Sequence, residues 1–213
     1  MSTRQCCAAD QEFDPAIAGR ELRRFQRKGV NQPTGQLLDE MLRSSLPPEA
    51  SLLDVGGGIG TIHHVLLDRG VARATQVDAS RAYLDVARAE AERRGHGARV
   101  TFAHGDFREL AAATSPSDMV TLDRVVCCDP DFAGLLGAAA DHARHLLAFT
   151  YPRDRWFTRS FVAVFNAVQR LRGRLFRAYI HPPAAMAGVL EARGLRRRWA
   201  GGTAIWGAEV FER

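Results

Sequence analysis

Between residues 51 and 152 the chain alternates two rhythms. Short apolar runs of strand length, "SLLDV", "RATQVD", "ARVTFAHGD", "SDMVTLD" and "HLLAFTYP", are separated by stretches with apolar residues at helical spacing. The helical stretches carry their own punctuation. "GTIHHVLLDRG" ends at Gly70, and "SRAYLDVARAEAERRG" opens on an N-cap serine, Ser80, and stops at Gly95. A further helix is predicted from about Asp131 to Ala143. Strands that alternate with helices imply an α/β fold: a doubly wound, mostly parallel sheet with helices on both faces.

The flanks follow other patterns. Ile17, Leu22 and Phe25 predict a helix from Pro15 to about Gly29, and Leu37, Leu38, Met41 and Leu42 predict a second after Pro33. Residues 153–172 predict a long helix with a broad face of Trp156, Phe157, Phe161, Val164, Phe165, Val168 and Leu171, framed by Arg153, Arg155, Arg159, Arg170 and Arg172. A helix to about Arg193 follows. "GLRRRWAGGTAIWGAEVFER" then reads as an antiparallel C-terminal hairpin turning at its "GG". The expected organisation is an unstructured segment at 1–12 and one domain at 13–213. Within it lie N-terminal helices (13–48), a ligand-binding core (50–150) and an inserted basic, aromatic cap or lid (153–183).

At 213 residues and 46% hydrophobic, the chain is long and apolar enough for one sizeable core. No apolar run is long enough to span a bilayer, and "MSTRQCCAADQEFD" has no apolar signal region, so a cytoplasmic location is expected, with Cys6, Cys7, Cys127 and Cys128 reduced. The cysteines come as adjacent pairs without metal-site spacing, so no metal is expected. The net charge is +5, and Lys28 is the single lysine, so the positive charge is almost all arginine. That balance fits a genome that favours arginine and alanine codons as well as it fits a functional cause: an anionic substrate, a membrane surface or nucleic acid.

The candidate chemistry sits at the strand ends. In parallel sheets, ligands bind beyond the carboxyl ends of the strands. Asp54, Asp78, Asp106 and Asp123 each stand at or near such an end. "LLDVGGGIGTI" follows the first strand. It lacks the lysine of a triphosphate loop, and neither frame of Gly-x-Gly-x-x-Gly closes. Asp54, two residues before the first glycine, would repel a pyrophosphate and suits a cationic ligand. Asp78 is placed to meet ribose hydroxyls.

"LLDVGGGIG" resembles the first motif of the S-adenosylmethionine-dependent methyltransferases with a Rossmann-like fold. "QVDAS", "VTFAHGDF" and "SDMVTLDRVVCC" are similar to their later motifs, in the same order. The resemblance covers about residues 50–150. It implies S-adenosylmethionine as cofactor, with Asp54, Gly56, Gly58 and Gly60 around the amino-acid part and Asp78 with Ala79 at the ribose. Asp106 and Phe107 would stand at the adenine, and Asp123 near the transferred methyl. A narrower resemblance, carried by "RRFQRKGVNQPTGQLLDEML", "LDRVVCCDPD" and "FTYPRDRW", is to the branch containing magnesium-protoporphyrin O-methyltransferase, although "IHPP" departs from the basic stretch expected there.

These readings imply a small-molecule acceptor, with O-methylation of a carboxylate or hydroxyl. His181, Tyr151, Asp123 and His104 are candidates for any base required. An NAD(P)-linked oxidoreductase and a non-catalytic cofactor-binding protein are the alternatives. "DPDF" lacks the second proline of the nucleic-acid amino-methylating motif, which argues against a nucleic-acid substrate. The 153–172 helix allows three roles: packed cap, substrate lid or peripheral membrane contact.

Overall fold

The computed structural model describes residues 8–213. The helices and strands are α1 (Pro15–Lys28), α2 (Thr34–Leu42), β1 (Ser51–Val55), α3 (Thr61–Asp68), β2 (Arg73–Asp78), α4 (Arg81–Arg94), β3 (Val100–His104), α5 (Phe107–Leu110), β4 (Ser117–Leu122), α6 (Phe132–His142), β5 (Ala143–Pro152), α7 (Trp156–Leu171), α8 (Pro183–Glu191), β6 (Arg196–Gly202) and β7 (Trp206–Glu212). Five parallel strands and an antiparallel C-terminal pair form one sheet of order β3-β2-β1-β4-β5-β7-β6. This is the expected Rossmann-like architecture. The strand order reverses between β1 and β4, and a crevice opens there beyond the strand ends.

Successive strand residues point to opposite faces, so each strand feeds two cores. Leu53, Val120, Leu147 and Phe149 pack with Leu136, Met186 and Leu190 on one face. Leu52, Met119, Leu146 and Ala148 pack with Leu37, Met41 and Leu66 on the other. All five residues of β1 are buried, as a central strand covered on both faces requires. Ser80 caps α4 by accepting a hydrogen bond from the Tyr83 N–H, and Gly95 ends it in the left-handed conformation (φ 74°), which a residue without Cβ adopts at no steric cost.

Three expectations are corrected. Residues 8–12, expected to be unstructured, are helical. Ala8 is buried, and Phe13 packs on Tyr83 with ring centroids 5.3 Å apart, so this segment is anchored by apolar contact. Residues 1–7, with Cys6 and Cys7, lie outside the described part. The hairpin turns at 203–205, while Gly201 and Gly202 belong to β6. There Thr203 N–H donates to the Trp206 carbonyl and Thr203 Oγ1 accepts from the Trp206 N–H, so one short side chain closes the turn. Finally, of the three roles left open for the 153–172 helix, the packed cap fails on one point: α7 does not bury its aromatic face. Thr158 and Gln169 are its buried residues, and Trp156, Phe161 and Leu171 face solvent.

Candidate cofactor crevice

The turn after β1 wraps over Asp54. Gly56, Gly58 and Gly60 have φ of 63°, 56° and 84°. A Cβ on Gly56 would stand 2.4 Å from Val125 Cγ2, and one on Gly57 would stand 2.5 Å from Asp54 Oδ2. The loop is therefore seated against the carboxylate and the β4 loop, at distances that only glycine permits. Asp54 is fully buried. It accepts from Thr121 Oγ1 at 2.8 Å, and its other oxygen lies 3.3 Å from His63 Nδ1.

Asp78, at the end of β2, ties the loop to the next helix. Its carboxylate accepts from the Gly58 N–H and the Ser80 N–H, each at 2.8 Å. Burial outweighs these two bonds and pushes its pKa up to about 6.

Two adjoining compartments lie above these residues. The first, about 330 Å³, is lined by Asp54, Gly56–Gly58, Asp78, Tyr83, Asp123 and Arg124 below, with Phe13, Glu21, Arg24, Asn31 and Thr34 from the N-terminal helices above. The second, about 260 Å³, is more apolar and is lined by Val77, Ala79, Asp106, Phe107, Leu135 and Phe176. Gly56, Ala79, Val125, Cys128 and Phe176 line both. Asp106 also caps α5, accepting the Arg108 N–H at 2.9 Å. Asp123 accepts from Thr34 Oγ1 at 2.7 Å and Thr150 Oγ1 at 2.6 Å. The crevice thus brings together every expected cofactor residue except Gly60, which starts α3 just behind the loop.

The expected base candidates fare differently. Tyr151 does not line the crevice: its hydroxyl donates to Glu209 Oε1 at 2.7 Å in the core, and burial raises its pKa. It lies there because alternation along β5 turns residue 151 toward the same face as Phe149. His181 also stands outside the crevice lining. Its Nε2–H donates to the Val126 and Asp129 carbonyls, at 3.1 and 2.9 Å, and burial lowers its pKa. It fastens the β4 loop. His104 Nε2 reaches the Ala79 carbonyl at 3.1 Å. Of the candidates, Asp123 alone faces the crevice, with both oxygens held.

Sequence reasoning missed the N-terminal wall of Glu21, Arg24, Asn31 and Thr34, together with Tyr83 and Arg124. The wall could not be located because helix periodicity gives a buried face but not the surface that it covers. Arg124 had one overlooked signal: it directly follows Asp123 at a strand end. Its backbone is left-handed (φ 61°), unusual for a side chain of that size. Its Nη2 donates to Asn31 Oδ1 at 2.5 Å, its guanidinium lies over Trp206 at 5.3 Å, and its buried Nε–H has no partner among the described residues.

Residues 52–145 match the family model of a methyltransferase domain. No curated protein matches the chain in sequence. Among solved structures, it is similar to magnesium protoporphyrin IX methyltransferase from Synechocystis PCC 6803 with bound SAM, at 19% identity and a TM-score of 0.71, over 98% of this chain and 97% of that one. The same enzyme with bound SAH gives a TM-score of 0.70 at 19% identity, over 96% and 97%. An O-methyltransferase family protein from Burkholderia thailandensis gives 0.72 at 19% identity, over 97% of this chain and 63% of that one. Residues 52–145 thus carry a methyltransferase domain, a class that uses S-adenosylmethionine as cofactor, and the whole chain shares the Rossmann-like fold of these neighbours.

The crevice fits that cofactor. Four carboxylates, Glu21, Asp54, Asp78 and Asp123, line the first compartment against two arginines, Arg24 and Arg124. Such a surface suits a ligand with a sulfonium and an ammonium and repels a pyrophosphate. The seating of the glycine turn leaves its open side to the crevice: a Cβ on Gly58 would meet nothing nearer than Tyr83 at 3.9 Å.

Proposed function

We propose that the chain methylates a carboxylate oxygen of a small-molecule acceptor, with Arg124 holding the acceptor. Asp54 and the glycine turn would receive the amino-acid part of S-adenosylmethionine, Asp78 its ribose, and Asp106 with Phe107 its adenine. The bound cofactor supplies a methyl group on a sulfonium, which a carboxylate oxygen accepts without losing a proton.

The observation that carries this reading is Arg124. A guanidinium whose buried Nε–H has no partner among the described residues lines the first compartment beside Asp123. A buried donor left unsatisfied is costly, and a guanidinium pairs best with a planar anion. Asn31 holds one end of the fork, and the ring of Trp206 supports its face. The candidate bases agree with a carboxylate acceptor. Tyr151 and His181 spend their polar hydrogens on Glu209 and on two carbonyls, and Asp123 is engaged by two threonines. A hydroxyl or amine acceptor has a proton to lose, whereas a carboxylate has none. What remains for the protein is positioning.

The test is methyl transfer from labelled S-adenosylmethionine to a panel of apolar carboxylic acids, phenols and amines. The expected product is an ester that releases labelled methanol in mild alkali. Arg124→Asn should raise the acceptor KM about 10- to 100-fold, the scale of a charge-assisted hydrogen bond, because asparagine tolerates the left-handed backbone but lacks the guanidinium. Alkali-stable product, or an unchanged acceptor KM, would refute the assignment.

A further inference from the structure

Helix α7 is turned inside out. Its inner face is held by polar groups. Asn166 exchanges two hydrogen bonds with the Ala178 backbone, at 2.8 and 2.9 Å, and Gln169 Nε2 donates to Glu12 Oε2 at 2.7 Å. Phe165 joins them by packing edge-on to Phe176. The outer face is apolar. Phe157, Phe161, Val164, Val168 and Leu171 recur at alternating steps of four and three, which keeps them on one side of a helix. Phe161 is 70% exposed, Val164 64% and Leu171 87%, and Trp156 joins the N-terminal end at 79%. Sixteen helical residues make this a ridge about 24 Å long.

Charge decides what the ridge meets. Residues 155–177 contain six arginines and neither aspartate nor glutamate. Arg159 pairs with Asp154 and Arg174 with Glu12, while Arg155, Arg170 and Arg172 are exposed and make no ion pair among the described residues. These arginines stand at both ends of the ridge. A second copy laid against it, parallel or antiparallel, would bring arginine against arginine with no acid in either segment to compensate. The complementary surface must be apolar at its centre and anionic at its rim. A single protruding helix also offers less than the roughly 800 Å² per partner of a standard protein interface. Its aromatic residues and flanking arginines match what an interfacial helix needs, with tryptophan at the headgroup level. Among the described residues no helix is long and apolar enough to cross a membrane, so contact is from one side.

We propose that α7 docks the protein on an anionic lipid bilayer, with its apolar ridge among the acyl chains and Arg155, Arg170 and Arg172 on the headgroups. Leu175, in the segment that follows α7 and 61% exposed, lines the second compartment of the crevice. The segment that leaves the docked ridge therefore forms part of the crevice wall, which gives an acceptor dissolved in the bilayer a short path to the crevice. The docking itself does not depend on which acceptor is methylated.

The test is flotation of the full chain with phosphatidylcholine vesicles containing about one third phosphatidylglycerol, against vesicles of phosphatidylcholine alone. Binding is expected on the anionic vesicles, weaker at high salt, with Arg170→Gln and Arg172→Gln each costing about fivefold in partition. The exposed pair Trp156→Ala and Phe161→Ala should abolish flotation while leaving the thermal midpoint and SAH affinity unchanged. Absence of binding to the anionic vesicles would overturn the proposal, as would binding indifferent to the Trp156→Ala, Phe161→Ala double variant. Concentration-dependent dimerisation abolished by Phe161→Asp, without flotation, would assign the ridge to a second copy instead.

Discussion

Gly56 and Gly58 both hold left-handed backbone in the same turn, with φ of 63° and 56°, yet alanine should act differently at each. An L-residue in that conformation costs about 1–2 kcal/mol, and the loss of glycine's freedom in the unfolded chain returns about 0.4–1 kcal/mol. At Gly58 nothing more is added, because the new methyl meets only Tyr83 at 3.9 Å, an ordinary contact. The net effect on folding is about 0–1.5 kcal/mol. At Gly56 the methyl would stand 2.4 Å from Val125 Cγ2, with Cγ1 at 3.2 Å and Cβ at 3.4 Å. Valine is stiff at χ1 and cannot swing clear, so overpacking adds roughly 1–3 kcal/mol. Gly56→Ala should then destabilise by about 1–4.5 kcal/mol and lower the thermal midpoint by roughly 2–18 °C, at 2–4 °C per kcal/mol for a chain of this size. The Gly58 methyl instead projects into the crevice, so Gly58→Ala should bind SAH at least about tenfold more weakly while its melt moves little. Thermal melts and calorimetric SAH titration on both variants check this. If Gly58→Ala melts as low as Gly56→Ala, or binds SAH as well as the unaltered chain, the described seating of the turn is wrong.

Other outcomes follow from the same geometry. Burial raises Asp78 to about 6 from the ordinary carboxylate value, so the fold holds a proton that the unfolded chain releases. The ligand-free protein should therefore lose stability as pH rises from about 4 to about 6. SAH affinity should rise over the same window if ionised Asp78 takes the ribose, and a pH-independent affinity from pH 5 to 8, measured by calorimetry, would count against that role. Glu90, held near 2 chiefly by its hydrogen bonds from Arg93 and Arg94, has the opposite sign. Its contribution is present above pH 4.5 and lost as pH falls toward 2, so Glu90→Gln should flatten the acid limb of a urea-monitored stability curve. His181→Gln should lower the rate and slightly destabilise the fold without moving the pH–rate profile, because His181 positions the β4 loop. A profile that loses a limb in this variant would restore His181 as a base.

The core was legible because its signals are local. Strand length, helical spacing and glycine stops gave the elements from Ser51 to Pro152 with boundaries displaced by a few residues at most, as at β3 and β5. The acids at the strand ends could be placed together because parallel topology sends every such end to the same edge. Three features were not legible. Residues 8–12 look polar, and Ala8 and Phe13 anchor them only through partners distant in sequence. The contribution of α1 and α2 to the crevice depends on docking direction, which an apolar stripe does not encode. For α7 the pattern was read correctly, but it left packed cap, substrate lid and membrane contact open. An amphipathic helix normally turns its apolar face to the core.

That reversal has a local cause. The inner face of α7 is committed by Asn166 to the backbone at Ala178 and by Gln169 to Glu12. The aromatic chain Phe165, Phe176, Phe13 and Tyr83 then links it to the residues beneath the glycine turn. Rotating α7 to bury Phe161 and Leu171 would strand two amides and break that chain. The same contacts that expose the apolar ridge therefore fix Phe176, which lines both compartments of the crevice. If lipid contact tightens α7, the wall shared by the two compartments tightens with it. Anionic vesicles should then lower the acceptor KM in the unaltered chain and leave it unchanged in the Trp156→Ala, Phe161→Ala variant, whose ridge no longer docks. A vesicle effect of equal size in both would mean that lipid acts on the acceptor's solubility and not through this helix.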